Sequence, residues 1–381
     1  MSTGPGPEIS RPAPGSATYL SGPVLVIGTG LLGASVGMGL SRLGIRVYLR
    51  DTSPTALRVA EDLGAGTAGP GAGDPAPELV VVATPPDVVA PTVAATLSEF
   101  DQAVVIDIAS VKSSVLHELR DTPSLSSADL SRYVGTHPMA GRERSGPAAA
   151  RGELFISAPW VVVPHEGSTP EAVRVARAVG ADLGAAVTSM DAESHDRAVA
   201  LVSHVPQVTA SMLAARLLDA PGNALALAGN GLRDTTRIAA SDPRLWIQIL
   251  SHNAQQLVPI LQGMQEDLAR LVSTLQDPQA PGAALDLAQL MGEGNQGQAR
   301  IPGKHGAPPE SFATVGVIVD DAPGQIARLL TDIGEAGVNI EDLRMEHSAG
   351  YQVGLAEVGV LPGRRDELVA ALEALDWKVV Q

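Results

Sequence analysis

The stretch Val24–Gly33, with the sequence VLVIGTGLLG, decides the fold of the first part of this chain. An apolar run of strand length ends in the pattern G-x-G-x-x-G, and an Ala- and Gly-rich helical stretch follows at once. Gly28 permits the tight turn, Gly30 lets a pyrophosphate approach the backbone, and Gly33 lets the helix pack close to the strand. Because a helix N-terminus also offers free N–H groups to phosphates, the stretch predicts a dinucleotide-binding turn.

A second apolar run ends at Arg50-Asp51, about twenty residues further on. A carboxylate there accepts hydrogen bonds from ribose hydroxyls and repels a 2′-phosphate, so Asp51 favours NAD over NADP. Arg50 acts in the opposite direction, since an arginine at this place can hold that phosphate. The alternative is a Gly-rich turn that binds no nucleotide. The strand before the turn, the helix after it and Asp51 together argue against this alternative. The predicted cofactor is NAD, and the predicted cofactor-binding residues are Gly28, Gly30, Leu31, Leu32, Gly33 and Asp51.

The bulk properties narrow the class of protein. The chain has 381 residues, a formal net charge of −16 and no cysteine. The length predicts two or three domains, and the charge argues against nucleic acid or an anionic membrane as partner. Without cysteine there is no disulfide or thiolate site, and we find no convincing set of metal ligands. Neither a signal peptide nor a membrane span is predicted, so we expect a cytoplasmic enzyme that acts on a small molecule.

The order of predicted elements divides the chain. Strand-like and helix-like segments alternate up to about residue 190, which predicts a mostly parallel, doubly wound α/β sheet. Helical patterns follow; Pro206 should kink the first helix, and Pro259 should bend or split a long helix that starts at Asp242-Pro243. The apolar seam of that long helix favours a dimerisation domain over a core helix within one subunit. The predicted divisions are a disordered arm at 1–20, a Rossmann domain at 21–188, an all-α dimerisation domain at 189–292, a linker at 293–311 and a last domain at 312–381.

The last domain shows the order βαββαβ, which predicts an α+β ferredoxin-like fold. The strands are expected at 314–319, 338–346, 352–360 and 377–380, and the helices at 324–336 and 364–375.

Two polar residues follow strands at the edge where a doubly wound sheet binds its ligand. Ser110 follows one strand, and His137 closes another on a stiff turn before a proline. A histidine there can accept the proton of a substrate hydroxyl as hydride leaves the same carbon. The alternative is that His137 is a loop histidine without a catalytic role.

Other candidates lie in the helical region. His195 and His204 are nine residues apart, which in an α-helix places them on opposite faces, so only one should face the crevice. We prefer His204, beside the predicted kink, and regard His195 as structural. Arg233 and Arg237 are four apart and can form a carboxylate clamp, although a solvated surface pair is an equal reading.

Several motifs of the chain, taken together, resemble those of a known family. The opening G-x-G-L-L-G-x-S, the strand end Asp107–Lys112, T-H-P-M-A-G, D-x-E-S-H-D-R followed by S-H-V-P, and T-R-I-A-x-S-D-P are similar to the TyrA family of prephenate and arogenate dehydrogenases, in the same order. The resemblance implies that His137 is the catalytic histidine and that Ser110 assists it. It also implies that Arg237 binds a substrate carboxylate and that His204 belongs to the pocket.

The resemblance further implies NAD-dependent oxidative decarboxylation of prephenate to 4-hydroxyphenylpyruvate in tyrosine biosynthesis, with arogenate as the alternative substrate. Members that use prephenate often carry S-H-x-P-H, whereas this chain has Gln207 at the last position. A β-hydroxy-acid dehydrogenase would need a lysine on the first helix after the Rossmann domain, and Asp191–Leu218 contains none. A non-catalytic sensor of NAD and amino acids is a third reading, disfavoured by the presence of His137 and Arg237.

The tail resembles an ACT domain through Val315–Val319, the turn Asp320-Asp321-Ala322-Pro323-Gly324, and Gly337-Val338-Asn339-Ile340. The resemblance implies that such domains pair and bind amino acids. We expect a homodimer whose tail binds tyrosine near Pro323 and Asn339, while a tail that serves only in assembly is the alternative.

Overall fold

The computed structural model describes residues 18–140, 146–302, 312–347 and 353–380. The predicted arm at 1–20 lies almost wholly outside these residues. The chain divides into two compact units, Met1–Gln265 and Glu266–Gln381.

The first unit is built on an eight-stranded sheet with the order β3-β2-β1-β4-β5-β6-β7-β8. From β1 the strands follow one another towards one edge of the sheet as far as β3, and from β4 they proceed towards the other edge. Open α/β sheets bind their ligands at such a switch point, which here lies between β1 and β4. The strands are β1 Val24–Ile27, β2 Val47–Arg50, β3 Thr67–Ala68, β4 Leu79–Val82, β5 Val104–Asp107, β6 Tyr133–Pro138, β7 Pro159–Val163 and β8 Ala186–Ser189.

The sheet is mostly parallel, as expected from the sequence, and one of its strand pairings, between β6 and β7, is antiparallel. Strands β1 to β6 pair in parallel, but β7 runs antiparallel to β6 and β8 follows the direction of β7. The reason lies in the connection. In the described part of the connection from β6 to β7, residues 139–140 and 146–158, there is a short 3-10 turn and no crossover helix of the kind that returns a strand in parallel.

Helices cover both faces of this sheet and then continue as a helical region. Their bounds are α1 Leu31–Arg42, α2 Pro54–Asp62, α3 Pro86–Glu99, α4 Ser113–Arg120, α5 Ser127–Leu130, α6 Pro170–Asp182, α7 Ala192–Val199, α8 Val205–Ala215, α9 Gly222–Leu225, α10 Asn230–Thr236, α11 Pro243–His252 and α12 Ala254–Gln276.

The kink expected at Pro206 takes the form of a π-helical segment, Ala200–His204, between α7 and α8. Proline lacks an N–H, and Pro206 sits in the first turn of α8, where no intrahelical partner is needed. The wider π turn changes the angle between side chains before and after it. His195 and His204 are both buried, and the Asn253 side chain contacts both His204 and the main chain of Asp196, so the expectation of opposite faces is wrong.

The long helix that starts at Pro243 is split at Asn253 and not at Pro259, which lies inside α12. The Asn253 side chain donates a hydrogen bond of 2.8 Å to the main-chain oxygen of Asp196. This contact turns Asn253 inward, where it is buried, and ends α11 at His252. The break is therefore set by a polar contact with α7.

The second unit contains the end of α12, then α13 and a four-stranded antiparallel sheet with the order β10-β11-β9-β12. Helix α13 extends to Gln298, so the first part of the predicted linker at 293–311 is helical; residues 303–311 lie outside the described part. The βαββαβ order expected for the tail is present. The helix before the tail is α13, Ala283–Gln298. The elements of the tail are β9 Ala313–Asp320, α14 Gln325–Glu335, β10 Asp342–His347, β11 Val353–Val360, α15 Arg365–Ala374 and β12 Lys378–Val380.

Candidate active site

The turn after β1 has the shape that a dinucleotide requires. Gly28 has φ +98°, and a Cβ on Gly33 would lie 1.9 Å from the Gly28 carbonyl oxygen, so both positions need glycine for the fold itself. A Cβ on Gly30 would meet no protein atom within 4 Å. The space in front of Gly30 is therefore open, at the place where α1 begins with the half-buried Leu31 and Leu32. The turn fits the pyrophosphate of NAD.

Asp51 is fixed at the end of β2. Its Oδ2 accepts hydrogen bonds from the backbone N–H of Thr29, at 2.6 Å, and from the Thr29 hydroxyl, at 2.8 Å. Its Oδ1 accepts from the backbone N–H of Ser53 at 2.7 Å. The acid is thus held beside the glycine turn.

A buried polar cluster joins the ends of β5 and β6. Lys112, which is 1% exposed, forms an ion pair with Asp107 and donates a hydrogen bond of 2.8 Å to the Thr136 carbonyl oxygen. The Tyr133 hydroxyl donates to Asp107 Oδ2 at 2.7 Å. Burial lowers the pKa of Lys112, although Asp107 acts in the opposite direction. The cluster holds the backbone on the N-terminal side of His137 in place.

His137 is the first member of a hydrogen-bonded chain that reaches across to α7. Its Nδ1 lies 2.9 Å from His195 Nε2, and His195 Nδ1 lies 2.8 Å from Asp196 Oδ1. Asp196 also accepts hydrogen bonds from the backbone N–H groups of Lys112, at 2.9 Å, and Ser113, at 2.8 Å. The side chains of His137, His195 and Asp196 are all buried.

The carboxylate determines where the protons lie. Burial by itself raises the pKa of Asp196, but hydrogen bonds from His195 and from the Ser113 and Lys112 amides bring it below its usual value. An ionised Asp196 only accepts, so His195 donates through Nδ1, and an imidazole in this tautomer accepts through Nε2. His137 must then carry its proton on Nδ1, which leaves the Nε2 lone pair available.

The surroundings also keep His137 neutral. Burial, followed by the neighbouring His195, Lys112 and His204, holds its pKa well below the usual value. A neutral imidazole with a free Nε2 is a proton acceptor at neutral pH.

His204 lies in the same region. Its Nδ1 accepts from the Asn253 amide at 3.1 Å, and its ring meets Trp246 edge to face at 5.9 Å. Burial lowers the pKa of His204 to about 4, against the attraction of Asp196. Because Nδ1 accepts, the neutral ring presents a donor at Nε2.

Ser110 is half-buried in the loop between Asp107 and Lys112. Arg237 is exposed and opens the 3-10 turn Arg237–Ala240, which packs against α8. Ser241 ends that turn and approaches Gln207 of α8, with its hydroxyl 3.4 Å from the amide oxygen.

Three residues near His137 are not predicted from the sequence to belong to the site: His195, expected to be structural, and Asp196 and Asn253, to which the sequence patterns give no role. Asn253 carried a signal, because it fills the one gap in the apolar seam from Trp246 to Leu275. The other two could be linked to His137 only through the fold. Among the described residues no group of three potential metal ligands occurs.

Comparison with known proteins places this arrangement in a family. The model for the nucleotide-binding domain of prephenate dehydrogenase matches residues 36–189, and the model for its dimerization domain matches residues 191–293. NovF of Streptomyces niveus, a probable prephenate dehydrogenase, is 38% identical over 363 residues, which cover 93% of this chain and 98% of that protein.

Solved structures show the same likeness. Prephenate dehydrogenase from Aquifex aeolicus, in complex with hydroxyphenyl propionate and NAD+, is 27% identical with a TM-score of 0.63; the match covers 73% of this chain and 99% of that one. Synechocystis arogenate dehydrogenase is 26% identical with a TM-score of 0.57, over 72% and 99% of the two chains. On these grounds the chain belongs to the prephenate dehydrogenase family of NAD-dependent oxidoreductases.

Proposed function

We propose that this protein catalyses the NAD-dependent oxidative decarboxylation of prephenate to 4-hydroxyphenylpyruvate, a step of tyrosine biosynthesis. The observation that carries the proposal is His137: a neutral histidine at the end of β6 whose free Nε2 is fixed by His195 and Asp196. NAD, bound at the glycine turn and Asp51, supplies the hydride acceptor.

His137 moves one proton in this scheme. Its Nε2 accepts the proton of the ring hydroxyl as hydride leaves the carbon that bears it. The ring carboxylate then leaves as CO₂, and the electron pair of the broken bond makes the ring aromatic. The phenol oxygen regains the proton from His137, so the histidine returns to its neutral state and is ready for another turnover.

Three other residues bind and orient the substrate. Ser110 lies in the loop after β5, which ends beside β6, and assists His137 at the ring hydroxyl. His204 offers its Nε2–H to a substrate oxygen, because its Nδ1 is engaged by Asn253. Arg237 binds a substrate carboxylate, for which a guanidinium is suited by its parallel N–H groups.

The test of the catalytic assignment is His137→Asn. We expect kcat to fall by roughly 10²–10⁴, the usual contribution of a positioned acid–base group, while NAD and substrate still bind. His117→Asn, on the exposed side of α4, is the matched control. Turnover near the wild-type rate in His137→Asn would remove His137 from the mechanism.

The choice between prephenate and arogenate concerns the side chain opposite the ring hydroxyl. Gln207, 6% exposed on α8, is an uncharged donor and acceptor, compatible with a pyruvyl or an alanyl group. We propose prephenate as substrate and arogenate as the alternative. NADH formation measured with each substrate in parallel decides between them, and a higher kcat/KM with arogenate would overturn the choice.

We propose that the protein is a cytoplasmic homodimer. The helical segment Ala192–Ala215 is long and apolar enough to cross a membrane by length and composition alone, yet it holds the buried His195 and His204. Its outer side exposes Val202 and Met212, each 63% accessible. An apolar outer face on a segment matched by a dimerization domain favours contact with a second copy over a membrane. Sedimentation equilibrium would reveal a monomer if this is wrong.

We propose that the C-terminal βαββαβ domain is an ACT domain that binds tyrosine near Pro323 and Asn339. Both residues are exposed at loops beside α14, and the Asn339 amide donates to Glu341 at 2.6 Å. A chain truncated after Gln298, the end of α13, should remain active and lose its response to tyrosine. A full response in the truncated chain would mean that tyrosine acts at the active site and that the tail serves only in assembly.

A further inference from the structure

Arg50, the last residue of β2, does not face the cofactor site freely. Its guanidinium donates two parallel hydrogen bonds to the carboxylate of Glu99, at 2.8 and 2.9 Å, and its Cζ lies 5.9 Å from the centre of the Phe100 ring. The hydrogen bond to Glu99 raises the pKa of Arg50, and Arg50 in turn lowers that of Glu99. The bidentate geometry fixes the direction of the arginine as well as its charge.

Glu99 has no evident role in the stability of its own helix. It is the last residue of α3, where a carboxylate faces the negative end of the helix dipole. Its side chain is 45% exposed, and that of Arg50 is 40% exposed, so the ion pair contributes little to the free energy of folding. The position of an acid here is better explained by the arginine that it holds.

The residue next to Arg50 is the acid that selects the ribose. Asp51 is held by Thr29 and Ser53 through hydrogen bonds from uncharged groups. In related folds, an arginine near this place accommodates the 2′-phosphate of NADP. With Arg50 paired to Glu99, a 2′-phosphate would meet the negative charge of Asp51 while the adjacent cation is already neutralised.

We propose that Glu99 is a specificity-determining residue for the cofactor: by holding Arg50, it keeps the site selective for NAD over NADP. Glu99 acts through Arg50, so it is a positioning residue. The selectivity therefore depends on a pair between β2 and the end of α3 in addition to Asp51.

The test is the dissociation constants of NADH and NADPH, measured by nucleotide fluorescence on the full chain, so that the readout is independent of the dehydrogenase reaction. In Glu99→Ala we expect NADPH to bind about tenfold more tightly, the order of one new charge-assisted hydrogen bond, with NADH binding changed less than about twofold. The double variant Arg50→Ala/Glu99→Ala should bind NADPH as weakly as the wild type.

A matched control is Glu171→Ala, which breaks another bidentate pair, the more exposed one with Arg174 on α6. It should leave both constants unchanged. NADPH affinity that does not rise in a folded Glu99→Ala variant would overturn the proposal. So would an equal rise in the double variant, because the effect would then come from the lost negative charge and not from the released arginine.

Discussion

His195 offers the most direct test of how the active site is organised, because its proposed role is to fix the tautomer of His137. Replacing it by leucine removes the acceptor of the His137 Nδ1–H, a contact of 2.9 Å. Asp196 remains satisfied by the Lys112 and Ser113 amides, so the variant is expected to fold. A hydrogen bond of this kind, linked to a carboxylate, contributes about 1.5–3 kcal/mol.

The bond reaches this strength when His137 accepts the proton and becomes charged, so its loss raises the barrier by that energy, a factor of roughly 10 to 150 at 1.36 kcal/mol for each factor of ten. We therefore expect kcat of His195→Leu to fall by about the same factor, while KM and the NADH dissociation constant change less than about threefold. Steady-state rates and fluorescence binding give these quantities.

His195→Gln is the matched control for this prediction. A glutamine amide can donate to Asp196 and accept from His137, which reproduces both roles of the imidazole. Its kcat should lie closer to the wild type than to His195→Leu. The reasoning is refuted if His195→Leu keeps kcat within about threefold of the wild type, or if the glutamine variant is as slow as the leucine variant.

Two further predictions concern the cofactor turn and the dependence of stability on pH. Gly30→Val should abolish NAD binding and leave the melting temperature nearly unchanged, because the space in front of Gly30 is open, whereas Gly33→Ala should also destabilise the fold through its contact with Gly28; calorimetry and thermal melts separate the two outcomes. His204 has a folded pKa of about 4 against an ordinary value of 6.5, so the unfolded chain takes up a proton first as the pH falls. Its stability contribution is intact above about pH 6.5, and about 2 kcal/mol is lost by pH 5. Between pH 7 and pH 5, the free energy of unfolding of His204→Asn should fall by about 2 kcal/mol less than that of the wild type. If both proteins lose the same amount, His204 is not the titrating group.

The sequence identified the parts of this protein that depend on neighbours along the chain. The strand, glycine turn and helix from Val24 onward are a local pattern, and the same holds for the start of α11 at Pro243 and the βαββαβ order of the tail. His137 and Ser110 could be placed at the ligand edge, since parallel strands end on one side of a sheet. The prediction of the family and of NAD as cofactor is confirmed by the comparisons.

The tertiary structure decided what depends on residues far apart in the chain. His137 and His195 are separated by 58 positions and meet only because α7 packs against the end of β6. The α-helical period placed His195 and His204 on opposite faces, and one π-helical segment changed that angle. The break at Asn253 follows from a contact with Asp196, whereas local rules pointed to Pro259. Sequence patterns report the conformation of a segment, but the partner of a buried polar group is fixed by which segments pack together, because that group must be satisfied wherever the fold places it.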